Sequence, residues 1–183
     1  MICRILNKIS RILRCVKIKL FYKKNIEIHK KSFFDIQRDY DFFFEDKNCK
    51  LVFNGNFSAR KNFYVNLCNK AKVNIGENCF FNNLCSINGR KKIIIGKNCL
   101  FGENVKLYDH NHNYEDPESC IVDQGFKEGE IIIGNNCWVG SNVVILYNVH
   151  IGDNCIIGAG CVVYKDLESS SILLSNGVIK KRC

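Results

Sequence analysis

Residues 131–164, IIIGNNCWVGSNVVILYNVHIGDNCIIGAGCVVY, decide the fold. Read in sixes from Ile133 they are IGNNCW, VGSNVV, ILYNVH, IGDNCI and IGAGCV. An aliphatic residue opens each six (Ile133, Val139, Ile145, Ile151, Ile157), and Gly follows in four of the five. Cys or Val returns four places after each opening residue. A period of six is neither the two of an ordinary strand nor the 3.6 of a helix. It is the hexapeptide repeat of a parallel β-helix, in which each six makes one flat face of a coil. One face cannot bury its aliphatic residue alone, so coils must stack to form a core.

Working towards the N-terminus, the same pattern gives IGENCF from Ile75, FNNLCS from Phe81 and INGRKK, with a two-residue excess, from Ile87. IGKNCL, FGENVK and LYDHNH follow from Ile95, Phe101 and Leu107. Three sixes close one triangular turn, grouped as 75–81–87, 95–101–107, 133–139–145 and 151–157–163. The chain leaves the pattern once, in an excursion over about 113–132 that is long enough to be a functional arm. FNGNFS and ARKNFY are degenerate sixes, so the β-helix is expected over 51–167 and a tail over 168–183. Residues 25–46 alternate aromatic and charged side chains without a period and are expected to form irregular strands or a cap over the open end.

The first twenty-one residues have a different rhythm. Ile2, Ile5, Leu6, Ile9, Ile12, Leu13, Val16 and Leu20 follow helical spacing, and Arg4, Lys8, Arg11 and Lys19 lie mainly on other faces. Residues 1–31 hold ten Lys/Arg and one Glu, equal to the whole net charge of +9. The remainder is balanced and gives no reason to propose nucleic-acid binding. Charges interrupt every apolar run, so neither a transmembrane span nor a secretory signal is expected. Two readings fit this basic amphipathic helix. It packs on the end of the β-helix or on a neighbouring subunit, or it lies on an anionic membrane surface.

Six of the twelve cysteines (Cys79, Cys85, Cys99, Cys137, Cys155, Cys161) fall at the fifth place of a six, where Cys serves as a small buried hydrophobe. No C-x-x-C pair or zinc spacing is present, so a reducing cytoplasm, no disulfide framework and no metal are expected. Among the four histidines, His112 ends the six LYDHNH just before the excursion, where an imidazole could take a proton near neutral pH. His110 has the same standing on composition.

The segment from Val73 to Leu167 resembles the hexapeptide-repeat acyltransferases. It is most similar to their galactoside, maltose and xenobiotic O-acetyltransferase branch and to the related O-acetyltransferases of polysaccharide synthesis. The likeness rests on GNNCWVGSNVVIL and IGDNCIIGAGCVVYKDL. It implies an all-β, left-handed parallel β-helix, acetyl-CoA as cosubstrate, a sugar or glycan hydroxyl as acceptor, and a homotrimer with shared active sites. In the family the catalytic His stands five residues after the aliphatic opening of its six, which is His112 here and points away from His110. Asp109 and Asn111 are the nearby candidates for orienting it. An active-site Asn one place into the six after an IGxNxx unit corresponds to Asn82. Trp138 and Ser141 match positions beside the thioester arm, and Ala159 matches the place where pantetheine approaches the backbone. Tyr164 and Lys165 stand where the family has Thr-Lys, and Lys180 falls in the segment that reaches the CoA phosphates. The family's Gly-Asn-Pro turn is replaced by LSNGVIKKRC.

The resemblance therefore implies a cytoplasmic O-acetyltransferase, working at the inner membrane face if the helix binds lipid. An antibiotic-type hydroxyl acceptor and a non-catalytic scaffold are the alternatives. A zinc enzyme of the carbonic-anhydrase kind would need three converging imidazoles. Besides His110 and His112, only His150 falls in the regular sixes, so no such convergence is expected.

Overall fold

Alternation within each six dictates the wall of the coil. The opening and fifth residues point inward, and their neighbours point to solvent or to the next coil. The computed structural model describes residues 2–29 and 32–182, with side chains of the first helix described from residue 9 onward. After a helix at Ile2–Phe21 the chain winds as a left-handed parallel β-helix of about six coils with three faces. Face one holds Ile26–Ile28, Lys50–Phe53, Lys72–Ile75, Lys92–Ile95, Glu130–Ile133 and Val149–Ile151. Face two holds Phe34–Ile36, Phe57–Ala59, Cys79–Phe81, Leu100–Phe101, Trp138–Val139, Ile156–Ile157 and Ser171–Leu173. Asp41–Phe44, Tyr64–Leu67, Ser86–Gly89, Lys106–Tyr108, Val144–Ile145 and Val162–Val163 form face three.

The strands pair in register, so like residues stack on like. Ile75, Ile95, Ile133 and Ile151 form one inward column, and Ile87, Leu107, Ile145 and Val163 form another. All are buried. The Phe81 and Phe101 rings stack at 4.1 Å and 4°.

The corners explain the rest of the repeat. The fourth-place asparagines Asn78, Asn98, Asn104, Asn136, Asn142 and Asn154 all adopt φ between 55 and 60°. Asn tolerates this left-handed backbone better than most residues with a Cβ. Their side chains also bond between coils, with Asn78 Nδ2 donating to Asn98 Oδ1 at 3.1 Å and Asn136 to Asn154 at 2.8 Å. Gly at the second place allows the close stacking, since a Cβ on Gly96 would lie 2.6 Å from the carbonyl carbon of Gly134. The six fifth-place cysteines are buried, and Cys79, Cys85 and Cys99 donate to the carbonyls of Gly96, Gly102 and Gly134 at 3.1 Å each.

Ile26–Ile28, Phe34–Ile36 and Asp41–Phe44 supply one strand to each of the three faces, each paired in parallel with the next coil. The β-helix thus starts one coil before the degenerate sixes near Leu51. Phe34 takes a fifth place that the regular sixes give to Cys or Val, and eight residues instead of six separate the opening places at Ile28 and Ile36, which hides the period. At the other end Ile179–Lys181 folds back antiparallel on Ser171–Leu173. The helix covers the first coil. Ile18 is buried, Arg14 Nε donates to the Ile36 carbonyl at 2.8 Å, and the Cys15 thiol donates to the Phe34 carbonyl at 2.9 Å. No helix of the described residues is long and apolar enough to cross a membrane.

Candidate active site

Two features that break the repeat meet at the corner between faces three and one. The excursion rises from the coil on a two-stranded antiparallel stem, His110–His112 against Phe126–Glu128. It rejoins face one at Glu130, so it spans His110 to Gly129. The two-residue excess after Ile87 lies beneath it. Arg90 from that excess bonds Glu128 through Nε at 3.1 Å and lies 3.9 Å from the centre of the Phe126 ring. Asn69 also donates to Glu128, at 2.9 Å. The His112 ring lies 4.4 Å from Phe126, which thus contacts both a guanidinium and an imidazole.

Asp109 sits at the foot of the stem and is fully buried. It accepts the backbone N–H groups of Arg90 at 2.7 Å and Lys91 at 2.8 Å, and its Oδ1 lies 3.1 Å from His110 Nδ1. Asp109 therefore orients His110 rather than His112. His112 is exposed, and its backbone N–H is taken by Asn111 Oδ1 at 3.0 Å. Arg90, Phe126 and Glu128 had no defined roles in the sequence reading. The usable signals were the two-residue excess and the carboxylate immediately before His110.

The corner between faces two and three collects the other candidates. Ser141 and Ala159 follow strands Trp138–Val139 and Ile156–Ile157 one above the other, and Asn82 follows Cys79–Phe81 two coils earlier, one place before their column and level with Gly140 and Gly158. At Lys97, Glu103, Asn135 and Asp153 the third-place N–H of one coil is taken by a side chain of the next. Lys97 donates to Asn135 at 2.9 Å, Asp153 to Ser169 at 3.1 Å, and Glu103 to Ser141 Oγ at 3.1 Å. Ala159 has no acceptor to offer the N–H of Ser141. Among the described residues neither Ser141 nor Ala159 has its N–H bonded. Two backbone donors are left without a partner among the described residues at this corner.

Trp138 is 55 % exposed on the outer side of face two, in register with Leu100 and Ile156. Lys180 pairs with Ile172, which pairs with Ile156, so it extends the same column. Tyr164 and Lys165 lie elsewhere, at the corner of faces three and one, two coils beyond the histidines, with Lys165 Nζ 5.4 Å from the Tyr164 ring centre. Within one chain the candidates thus form two groups on opposite edges of face three. No hydrogen bond joins Asn82 to His112. No group of three or more His, Cys, Asp or Glu arranged to hold a metal occurs among the described residues.

Residues 130–165 match the family described as bacterial transferase hexapeptide (six repeats), and residues 92–106 match the hexapeptide repeat of succinyl-transferase. The chain carries the hexapeptide repeat of the bacterial transferases. Solved structures of this hexapeptide-repeat class superpose on it. A maltose O-acetyltransferase from Clostridium difficile 630 is 25 % identical, with 87 % of this chain and 71 % of that one covered and a TM-score of 0.60. A hexapeptide-repeat acetyltransferase from Vibrio cholerae, complexed with acetyl coenzyme A, is 18 % identical over 92 % and 75 % of the chains, with a TM-score of 0.61. A mutant of AntD, an N-acyltransferase from Bacillus cereus in complex with dTDP and coenzyme A, is 16 % identical over 90 % and 85 %, with a TM-score of 0.71. At these identities the last two establish the shared fold.

Proposed function

We propose that the protein transfers an acetyl group from acetyl-CoA to a hydroxyl of a sugar or glycan. The observation that carries this reading is the pair of unbonded N–H groups at Ser141 and Ala159, beside the exposed Trp138. Such donors suit the carbonyls of a pantetheine arm and of a thioester. The neighbours that hold acetyl-CoA or coenzyme A support this choice of donor, and the maltose O-acetyltransferase supports a sugar hydroxyl over an amine.

In the proposed reaction the acceptor oxygen attacks the thioester carbonyl as His112 takes its proton. The new C–O bond forms and the C–S bond breaks. The CoA sulfur leaves and regains a proton. The Ser141 N–H stabilises the developing oxyanion, and Asn82 on the same corner orients the acceptor or the tetrahedral intermediate. Lys180 would meet the distal part of the CoA in its own subunit's groove, and Tyr164 and Lys165, on the histidine edge, that of the CoA in a neighbour's groove. Because the histidines and the donor groove occupy opposite edges of face three, one subunit's histidines would serve its neighbour's groove in a homotrimer. The exposed Tyr114, Ile121 and Val122 on the excursion are suited to reach that neighbour.

A second reading has a specific observation behind it: the buried Asp109 beside His110 Nδ1 is the usual means of holding a catalytic imidazole in one tautomer. Release of free CoA thiol, measured with a panel of sugar acceptors, distinguishes the two. If His112 is the base, His112→Ala lowers kcat by two to four orders of magnitude, roughly the worth of general base catalysis. His110→Ala would then cost much less. The reverse order assigns the role to His110, and near-wild-type turnover in both variants refutes histidine catalysis.

A further inference from the structure

The first helix is mounted inside out. Its packed side is the narrow strip Arg11, Arg14, Cys15 and Ile18, fastened to the first coil by the two bonds to the Ile36 and Phe34 carbonyls and by Arg11 lying 4.8 Å over the Phe33 ring. At 100° per residue that strip lies opposite the apolar stripe. Ile9, Ile12, Leu13, Val16 and Leu20 accordingly face outward, with Leu13 and Leu20 63 % and 64 % exposed and Val16 47 %. The sequence continues the same spacing at Ile2, Ile5 and Leu6.

An isolated exposed leucine means little, but a continuous apolar stripe along a helix, turned away from the core of the coil, needs an occupant. The charges around the stripe narrow the choice. Lys17, Lys19, Lys23 and Lys24 are exposed on or just after the helix, and the whole net charge of +9 falls within residues 1–31. A second copy of this surface would oppose lysine to lysine. A bilayer with anionic headgroups accepts both features, taking the apolar stripe below the headgroups while the lysines meet phosphate. We infer that the helix docks the open end of the β-helix onto an anionic membrane surface, lying in its plane. This inference does not depend on the acetyl-transfer reading. Joined to it, membrane docking would present the site to lipid-linked glycans.

The test is co-sedimentation of the full chain with phosphatidylcholine vesicles, with and without phosphatidylglycerol, and light scattering of the free protein. Wild type is expected to sediment with anionic vesicles and much less with neutral ones. Leu13→Asp, at an exposed position that leaves the packed strip untouched, is expected to reduce partitioning at least tenfold with unchanged circular dichroism. Lys17→Glu and Lys19→Glu are each expected to weaken binding about fivefold or more, the worth of about 1 kcal/mol per surface lysine. No sedimentation of wild type with anionic vesicles overturns the inference, and so does binding that Leu13→Asp leaves unchanged. A drop in oligomeric mass in Leu13→Asp, without any vesicle binding by wild type, would instead make a second copy the occupant.

Discussion

Replacing Ala159 with serine should make the protein more stable and worse at holding its donor. Two precedents lie within the chain: the Ser141 hydroxyl accepts the N–H of Glu103 at 3.1 Å, and the Ser169 hydroxyl accepts that of Asp153 at 3.1 Å. Ala159 stands in the same place relative to Ser141, so the introduced hydroxyl would take the Ser141 N–H, one of the two left unbonded at this corner. A net hydrogen bond between neutral groups contributes about 1 kcal/mol. For a chain of this size that raises Tm by about 2–4 °C. The same bond withdraws a donor from the thioester or pantetheine carbonyl, so acetyl-CoA affinity should fall about fivefold from an equal loss. Differential scanning fluorimetry and calorimetric titration of one preparation measure both quantities. A variant with unchanged Tm and unchanged affinity would refute the reasoning that these N–H groups are free for a ligand. A gain in stability without loss of affinity would confirm the ladder and remove Ser141 from the donor site.

Other outcomes follow from the same geometry. Asp109→Asn keeps one acceptor but turns an NH₂ group towards an N–H donor in a fully buried place, which should cost about 2–3 kcal/mol and lower Tm measurably. Asn98→Ala, with φ 59°, should destabilise the coil by about 1–2 kcal/mol, and Asn98→Gly by less, as read by urea midpoints. Burial pushes the Cys85 thiol up to about 11, so at pH 8 it should resist a disulfide reagent while the exposed Cys120 reacts. Cys120→Ser should then remove a fast-reacting thiol.

Much of this architecture is legible in the residues because a β-helix repeats one decision many times. The opening aliphatic residues, the fifth-place cysteines and the bounds of the first helix all come from local spacing, and each is where the spacing put it. The first coil was obscured because Phe34 takes a fifth place that the regular sixes give to Cys or Val, and because eight residues instead of six separate the opening places at Ile28 and Ile36. The bracing of the excursion was not legible, since Arg90 and Glu128 are joined only by folding. Amphipathicity identified the apolar stripe of the helix but could not say that Arg14 and Cys15 would be the side that packs. The relation between the two histidines was equally hidden. His110 and His112, two apart on one strand, share a face beside Phe126, and only the buried carboxylate of Asp109 distinguishes their surroundings.

The central claim is that face two and its corner with face three form an acetyl-CoA site. Titration calorimetry of acetyl-CoA into wild type, Trp138→Ala and His112→Ala tests it without knowledge of the acceptor. The account predicts saturable binding that weakens about tenfold or more when the exposed indole is removed and is retained without His112, whose role is in the chemical step. Well-folded wild-type protein that binds neither acetyl-CoA nor CoA would contradict the account and leave a hexapeptide-repeat scaffold in its place.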